Sequence, residues 1–432
     1  MPSSNADPNS LEQMLLPEPQ ALAAMDWKWE PSRLAPAAQV LRCALAVLAA
    51  LTLFTPSPPA FADEPAKRFL NRLREEGYYE QGLKYLEISA AKNRLPTSMK
   101  MDLPLERVIL MQESLRNVKT TQQRDERIAS IEKGYREFLA AAPTHSRRSE
   151  TQTKLGDLLL DRAQSALDES KKPENVISSD SWQSKARQAY MEALELYDQV
   201  TEELKPILVS MAGEKLKSIK VEGKDLKDLT ELRDQYQREY RQSQILQAKT
   251  MEFIGQTYSP SSPEWRKWLE KSETSFNSLI EKTTGAQEAG RRMLSLKYVA
   301  EIQSQLGKLD EARNSYTRVA DNEGEGIFRT YRVQAIAGIV RMDATVKAAK
   351  YEAAIQRGDD AIKTATARER DDPEWLDLQL AVAEARLAWS MTLDEKKDNA
   401  KFKSNRKAAR ELLQGLLKKK GPHLAKTKKK LE

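Results

Sequence analysis

The chain has 432 residues, of which 31% are charged and only 6% aromatic, and its formal net charge is +6. Only 16 glycines interrupt a composition rich in good helix formers. Turn clusters do not recur at the spacing of about 8–12 residues that is typical of sandwiches and barrels. These features exclude an all-β fold and predict an all-α protein.

The N-terminal segment has the features of an export signal. Arg33 and Arg42 precede the apolar run Cys43–Phe54, and Ala60-Phe61-Ala62 follows as a small-x-small pattern. A charged flank, a short apolar core and a small-residue exit are what a signal peptidase requires. We therefore expect a signal peptide with a long n-region over 1–62, cleavage after Ala62, and export to the periplasm, cell envelope or exterior.

Two alternatives remain open for this segment. The apolar run could stay uncleaved and anchor the chain, although about a dozen residues are few for spanning a bilayer. Translation could also begin at Met25, which would shorten the n-region. In either case Cys43 is the only cysteine. Its removal with the signal would exclude thiol catalysis, disulfides and cysteine metal sites from the mature chain.

The stretch "GKLDEARNSYTRVAD", from Gly307 to Asp321, predicts the second helix of a helical hairpin. Ala312 and Tyr316 lie at i and i+4, on one face of a helix that Gly307 precedes. The helix before that glycine presents Leu296 on an apolar face. The pattern predicts a helix, a glycine turn and a second helix, with small and large residues packing where the helices cross.

The same pattern recurs along the chain, with packing residues at Gly77, Gly82, Tyr135, Ala193, Tyr197, Ala354 and Ala409. It resembles the tetratricopeptide repeat (TPR), in which a turn glycine precedes a helix with a small residue and then an aromatic. The spacing is irregular, because Ala312 lies 119 residues after Ala193 but only 42 before Ala354, against about 34 in regular repeats. The resemblance implies an α-solenoid-like array of degenerate hairpins.

A long helix is predicted between two sets of hairpins, over Gly223 to Tyr258. Pro206 is predicted to end the helix before it, 171–180 to form a flexible loop, and Pro263 to start a new helix. The expected organisation has five parts: a signal peptide at 1–62, TPR-like hairpins at 63–205, a long-helix segment at 206–290, TPR-like hairpins at 291–422, and a basic tail at 423–432.

The sequence offers little for catalysis. His145 and His423 each stand alone in polar stretches, and no nucleophile, zinc or phosphate-loop motif occurs. "DNEGEGIF" has a partial calcium-loop spacing, but Arg332 stands where the bidentate glutamate is needed. We therefore expect no catalytic, cofactor-binding or metal-binding residue. Four tryptophans are expected mainly in the core: Trp265, Trp268, Trp375 and Trp389.

The positive charge is concentrated at the C-terminus, where 399–432 holds twelve lysines and arginines against two glutamates. A solvated end is one interpretation of this segment. Another is contact with an acidic envelope surface or other polyanion. Nucleic acid is the least favoured partner, because interleaved aromatics are missing. The candidate contact residues are Lys418, Lys419, Lys420, Lys428, Lys429 and Lys430.

The TPR resemblance implies a scaffold or adaptor of the cell envelope that binds another protein or peptide non-covalently on a helical-repeat surface. Two other classes remain open. One is an enzyme or enzyme subunit, which would need a cleft with convergent acids or lysines. The other is an envelope protein anchored by an uncleaved N-terminal helix.

Overall fold

The computed structural model describes residues 63–213, 215–219, 226–283, 285, 288–345, 350–394, 396–419 and 427. The predicted signal peptide with its cleavage site after Ala62 lies outside these residues. So do His423, Lys420, Lys428, Lys429 and Lys430, together with nearly all of the 423–432 tail.

The described residues form fifteen α-helices joined by turns and short 3-10 segments, with no strand among them, so the all-α prediction is confirmed. The helices are α1 (Asp63–Glu75), α2 (Tyr79–Ala91), α3 (Thr97–Glu113), α4 (Thr121–Ala141), α5 (Arg148–Ser170), α6 (Ser179–Ser210), α7 (Lys215–Ser218), α8 (Leu226–Gln256), α9 (Pro263–Lys282), α10 (Ala289–Gln305), α11 (Leu309–Ala320), α12 (Ile327–Asp343), α13 (Tyr351–Lys363), α14 (Pro373–Thr392) and α15 (Asn399–Leu417).

The chain divides into two compact units. We call them the α1–α4 unit and the α8–α15 unit, after the helices that lie wholly in each. The described part of the α1–α4 unit comprises 63–162 and Glu195–Leu204. The α8–α15 unit contains Ala163–Leu194 and the described residues from Lys205 onward. The domain boundaries expected from the sequence stay predictions.

In the α1–α4 unit, each of these helices packs against the next, and α1 also contacts α3. The turn between α1 and α2 depends on Gly77, whose φ is +75°. The Tyr78 N–H donates to the Leu73 carbonyl at 2.7 Å across this turn. A residue in the left-handed backbone conformation after the last helical turn permits that hydrogen bond, and glycine adopts this conformation without strain. Gly82 is buried beside Leu110 in the same unit.

In the α8–α15 unit the helices alternate between two sets. Each helix from α8 to α15 contacts the next, and in addition α8 contacts α10, α10 contacts α12, and α12 contacts α14. The four alternate helices α8, α10, α12 and α14 therefore form a continuous layer, which we call the first layer. Helices α9, α11, α13 and α15 pack against it.

The packing residues expected from the sequence are buried in these units, except for the turn glycines: Gly77 is half-buried and Gly307 is exposed. Leu296 and Tyr316 belong to one core cluster of the α8–α15 unit, and Ala354 to another. Gly307 has a φ of +78° and forms a turn like that of Gly77, with the Lys308 N–H donating to the Gln303 carbonyl at 2.9 Å. The remaining buried members are Tyr135, Ala193, Tyr197, Ala312 and Ala409.

Two of the buried tyrosines lie against glycines of another helix. A Cβ atom added at Gly156 of α5 would lie 2.7 Å from the Tyr197 ring. At Gly338 of α12 it would lie 2.4 Å from the Tyr316 ring. Contacts this short are incompatible with any side chain, so both helix pairs approach closely only because the facing residue is glycine.

Two local predictions were wrong. Pro206 does not end its helix, because α6 continues through it to Ser210. Proline removes one backbone hydrogen bond but permits continuation where packing compensates, and Leu208 beyond it is buried. The stretch 171–180 is not an open loop. Pro173–Ser178 forms a 3-10 helix, and the Asn175 side chain donates to both the carbonyl and the carboxylate of Glu169 at 3.0 Å.

The middle of the chain agrees with the prediction of a long helix, since α8 has 31 residues. The next helix begins at Pro263, where the Ser262 hydroxyl accepts a hydrogen bond from the Trp265 N–H at 3.1 Å. Serine at the N-cap satisfies a donor that has no partner within the helix, and proline at the first position has no such donor.

Candidate functional site

A cleft of about 650 Å³ opens on the first layer. Its lining comes mainly from α8, α10, α12 and α14, with Tyr316 contributed by α11. The lining residues are Glu252, Lys297, Glu301, Ser304, Gln305, Tyr316, Gln334, Gly338, Arg341, Met342, Thr345, Pro373, Glu374 and Asp377.

Helical periodicity explains why these side chains meet. On α10, Lys297, Glu301 and Ser304 lie at i, i+4 and i+7, which places them on one face. Gln334, Gly338 and Arg341 have the same spacing on α12. The cleft is therefore a row of polar faces from neighbouring first-layer helices.

Glu252 of α8 is the most deeply placed charge of the lining, with only 2% of its surface exposed. Its carboxylate accepts hydrogen bonds from the Lys249 ammonium at 2.7 Å, the Gln305 amide at 2.8 Å and the Gln256 amide at 3.0 Å. A buried carboxylate requires such partners, because desolvation without them is costly. The Gln305 bond also joins α8 to α10.

Lys249 extends this network towards α10. Its ammonium lies 3.6 Å from Glu301 and 4.3 Å from the centre of the Tyr298 ring. Burial lowers the pKa of Lys249, but the charges of Glu252 and Glu301 outweigh it, so the pKa is raised and the side chain stays charged. Lys297 adds an ion pair to Glu301 at 3.3 Å. These contacts fix the floor of the cleft.

Arg341 forms the opposite wall and joins α12 to α14. Its guanidinium donates to the two carboxylate oxygens of Asp377 at 2.6 and 2.9 Å, and Glu384 lies 3.7 Å away. Burial alone would lower the pKa of Arg341. The hydrogen bonds and the charge of Asp377 outweigh burial, so the pKa is raised. A two-point guanidinium–carboxylate pair holds both groups in a defined geometry.

Tyr316 lies at the base of the cleft against Gly338. Its ring is 5% exposed, and burial together with the charge of Glu301 raises the pKa of its hydroxyl. The phenol therefore stays protonated at neutral pH and can donate a hydrogen bond. Because Gly338 has no side chain, the tyrosine ring can reach the cleft lining.

The lining contains four carboxylates and two cationic groups, so it is acidic overall. Glu374, in the first turn of α14, forms no ion pair with any residue that the structure describes. The cleft offers fixed charges and hydrogen-bonding groups suited to recognising a polar ligand with basic groups. Three of its acids, Glu252, Glu301 and Asp377, are ion-pair partners, and the residues described around them include no nucleophile paired with a base.

His145, which has no other histidine near it in the sequence, contacts an acid that is distant in the sequence. Its Nε2 lies 3.3 Å from the Asp102 carboxylate, and its Nδ1 accepts a hydrogen bond from the Arg147 N–H at 3.2 Å. Both ring nitrogens are therefore engaged. The arrangement orients the ring beside Phe138 but leaves no nitrogen to act as a base on a serine.

The described residues contain no group of three or more His, Cys, Asp or Glu placed to hold a metal ion. In the "DNEGEGIF" stretch, Asn322 accepts a hydrogen bond from the Gly324 N–H at 2.9 Å, and Gly326 precedes α12 with a φ of +61°. This turn connects α11 to α12.

Of the four tryptophans, only Trp375 is fully buried; the other three are half-buried. Trp265 and Trp389 pack at the edges of core clusters. Among the predicted polyanion contacts in the described part, Lys418 is exposed, whereas Lys419 lies 2.5 Å from Asp371. The structure therefore places neither the tryptophans nor these lysines in the cleft.

Sequence reasoning identified Tyr316 as a packing residue but missed the remainder of the cleft. A signal was present in the polar i, i+4, i+7 rows of α10 and α12. However, exposed helix faces normally have such rows, so the spacing alone does not distinguish a cleft from a solvated surface.

No protein-family model matches the chain, and no curated protein matches it. Among the described helices, none combines the length and apolar character needed to cross a membrane.

Proposed function

We propose that the protein is a non-covalent protein–protein interaction scaffold that binds a peptide segment of its partner in the first-layer cleft. The observation that supports this most strongly is the shared lining, in which successive first-layer helices contribute polar faces to one continuous depression. Helical arrays commonly use such surfaces for binding partners. The TPR-like character of the hairpins and a location in the cell envelope after export belong to the same proposal.

The lining also suggests the chemistry of the ligand. Its excess of carboxylates favours a peptide with lysine or arginine side chains, and Glu374 is the carboxylate best placed to pair with one. Helices α10, α12 and α14, which contribute most of the lining, span about 20 Å at a spacing of roughly 10 Å. An extended peptide of about six residues covers that distance.

A displayed library of random peptides tests the proposal on the full chain. We expect enrichment of peptides with basic residues. Two changes in the cleft should weaken their binding: Ser304→Trp, which fills the space, and Glu374→Gln, which removes the unpaired charge. Asn314→Trp is a matched control, because Asn314 is exposed on α11 and does not line the cleft.

The expected result is at least tenfold weaker binding for Ser304→Trp and a smaller loss for Glu374→Gln, with Asn314→Trp unchanged. One lost ion pair at a partly exposed site corresponds to about 1.5-fold to fivefold in affinity. If the library yields no binder, or if selected peptides bind all three variants like the parent, the proposal is wrong.

A further inference from the structure

Helix α15 carries a strip of four basic side chains on its exposed face. Lys403, Arg406, Lys407 and Arg410 lie at i, i+3, i+4 and i+7, so they project from the same side of the helix, and all four are exposed. Within the part of the chain that the structure describes, none of them forms an ion pair. We call these four residues the α15 strip.

The face of α15 that adjoins the strip on the Arg406 side is packed against the fold. Ala409 and Leu413 are buried, and Leu413 and Leu416 share a cluster with Leu376 and Leu380 of α14. The helix therefore has no exposed apolar face that could insert into a lipid bilayer. A partner that contacts the α15 strip therefore meets mainly charged groups.

The exposed residues around the α15 strip are mainly polar or charged, and they include Glu411, four residues after Lys407. Asn399 and Gln414 lie on the same side of the helix and are exposed. Stable protein interfaces are usually anchored by aromatic or aliphatic side chains at their centre, and the strip has none. Recognition of single-stranded nucleic acid would require exposed stacking aromatics. The aromatic next to the strip, Phe402, is half-buried, and its ring centre lies 5.3 Å from the Arg406 guanidinium.

A fluid anionic bilayer requires neither anchors nor a matching shape, because its headgroups rearrange around a cluster of cations. We propose that the α15 strip binds the surface of an anionic phospholipid membrane, peripherally and without insertion. The cleft lies on α8, α10, α12 and α14, so this surface is distinct from the peptide-binding site proposed above.

Co-sedimentation of the full chain with lipid vesicles tests this inference. Vesicles of phosphatidylcholine with about one third phosphatidylglycerol should bind the chain, and vesicles of phosphatidylcholine alone should not. Binding should weaken by at least tenfold from about 0.05 M to about 0.5 M salt, because screening removes a purely electrostatic attraction.

Three variants locate the contact. Replacing the strip with glutamine (K403Q/R406Q/K407Q/R410Q) should reduce vesicle binding by at least tenfold, since each cation near the surface contributes roughly fivefold. A tail variant, K428Q/K429Q/K430Q, should reduce vesicle binding less than the strip variant does. A control variant removes four positive charges elsewhere in the unit, K267Q/K271Q/K282Q/R357Q, and should reduce vesicle binding least of the three.

Circular dichroism should show that the strip variant keeps the helical content of the parent. Equal losses in the strip and control variants would mean that only net charge matters, and would overturn the assignment. Unchanged vesicle binding by the strip variant would also contradict the proposed membrane contact. Stronger binding of the parent to duplex DNA or to a polyglutamate peptide than to the anionic vesicles would contradict it as well.

Discussion

The two units contain the same packing contact in different surroundings. In the α1–α4 unit, Tyr197 lies against Gly156, and its hydroxyl donates to Asp157 at 2.7 Å. In the α8–α15 unit, Tyr316 lies against Gly338, and its side chain lines the charged cleft. The Tyr197 hydroxyl is therefore engaged by a carboxylate within the unit, whereas Tyr316 lines a cleft.

The comparison shows how one packing solution serves two purposes. A glycine that faces a tyrosine lets two helices approach closely. The tyrosine hydroxyl then requires a hydrogen-bond partner or a polar environment. Where a carboxyl is buried beside it, the hydroxyl contributes to stability. Where the neighbouring helices open into a cleft, the tyrosine lines that cleft. Differences in stability and binding between matched variants of the two units test this interpretation.

The largest effect is expected for alanine at the facing glycines. Gly338→Ala places a Cβ 2.4 Å from the Tyr316 ring and should destabilise the protein by about 3 kcal/mol. Gly156→Ala should cost a similar amount. Urea unfolding followed by circular dichroism measures the free energies.

Gly415→Ala is the control for these glycine changes. Gly415 is a helical glycine with nothing within 4 Å of the added Cβ, so alanine there should stabilise α15 by up to about 1 kcal/mol. If Gly338→Ala and Gly415→Ala have the same effect, the close contact with Tyr316 is not what makes glycine necessary.

The half-buried carboxyl of Asp157 in the α1–α4 unit should make the stability of the fold depend on pH. Burial raises the pKa of Asp157 to about 6 from 3.8, despite the opposing hydrogen bond from Tyr197. A raised pKa means that the folded state binds the proton more tightly than the unfolded state. This stabilising contribution is therefore complete below about pH 4 and is lost as the pH rises through about 6.

Asp157→Asn removes this titration while keeping an acceptor for Tyr197. The variant should be more stable than the parent by about 2 kcal/mol at pH 7.5, and the difference should disappear near pH 4. Urea unfolding of both proteins at several pH values provides the comparison. A difference that does not change with pH would mean that Asp157 is not held in the protonated form by the fold.

The two tyrosine hydroxyls should differ in their effect on stability. Tyr197→Phe leaves a buried carboxyl without its donor and should cost about 1.5 kcal/mol. Tyr316→Phe removes a hydroxyl from the cleft lining and should cost less than about 0.5 kcal/mol, but it should weaken peptide binding. Thermal unfolding and peptide titration measure the two properties; equal losses of stability would contradict the contrast between the units.

Alanine in place of the turn glycine should reduce the stability of the protein by a similar amount in both units. Gly77 and Gly307 have φ values of +75° and +78°, with open space around the position of a Cβ atom. Alanine at either site should therefore cost about 1 kcal/mol through backbone strain alone. Asn93 occupies a similar turn with a φ of 53°, so Asn93→Gly should be neutral or slightly stabilising. Differential scanning calorimetry measures these shifts, and a neutral Gly307→Ala would contradict the role of the turn.

Local spacing was sufficient to predict the helical class, the glycine turns at Gly77 and Gly307, and the long helix. These features depend on residues within a few positions of one another. The contacts of the cleft depend on residues far apart, such as Gln305 and Glu252, which are 53 positions apart. Asp102 lies 43 positions before His145. Nothing in one sequence fixes which distant helices become neighbours.

The prediction that Pro206 ends its helix was wrong for the same reason, because tertiary packing cannot be deduced from local sequence. The local preference of proline favours ending a helix, whereas burial of residues beyond it favours continuation, and only the packed structure shows which contribution is larger. Gly156 and Gly338 were likewise uninformative alone. Their importance depends on the tyrosine that each one faces.

The most direct measurement of the central claim is photo-crosslinking of a library-selected peptide that carries a photoreactive group, followed by mass spectrometry of the crosslinked residues. If the cleft is the binding site, the crosslinks should fall on α10, α12 and α14, at lining residues such as Ser304, Met342 and Glu374. Crosslinks confined to α11, α13 or the α15 strip would contradict the assignment of this cleft as the peptide-binding site.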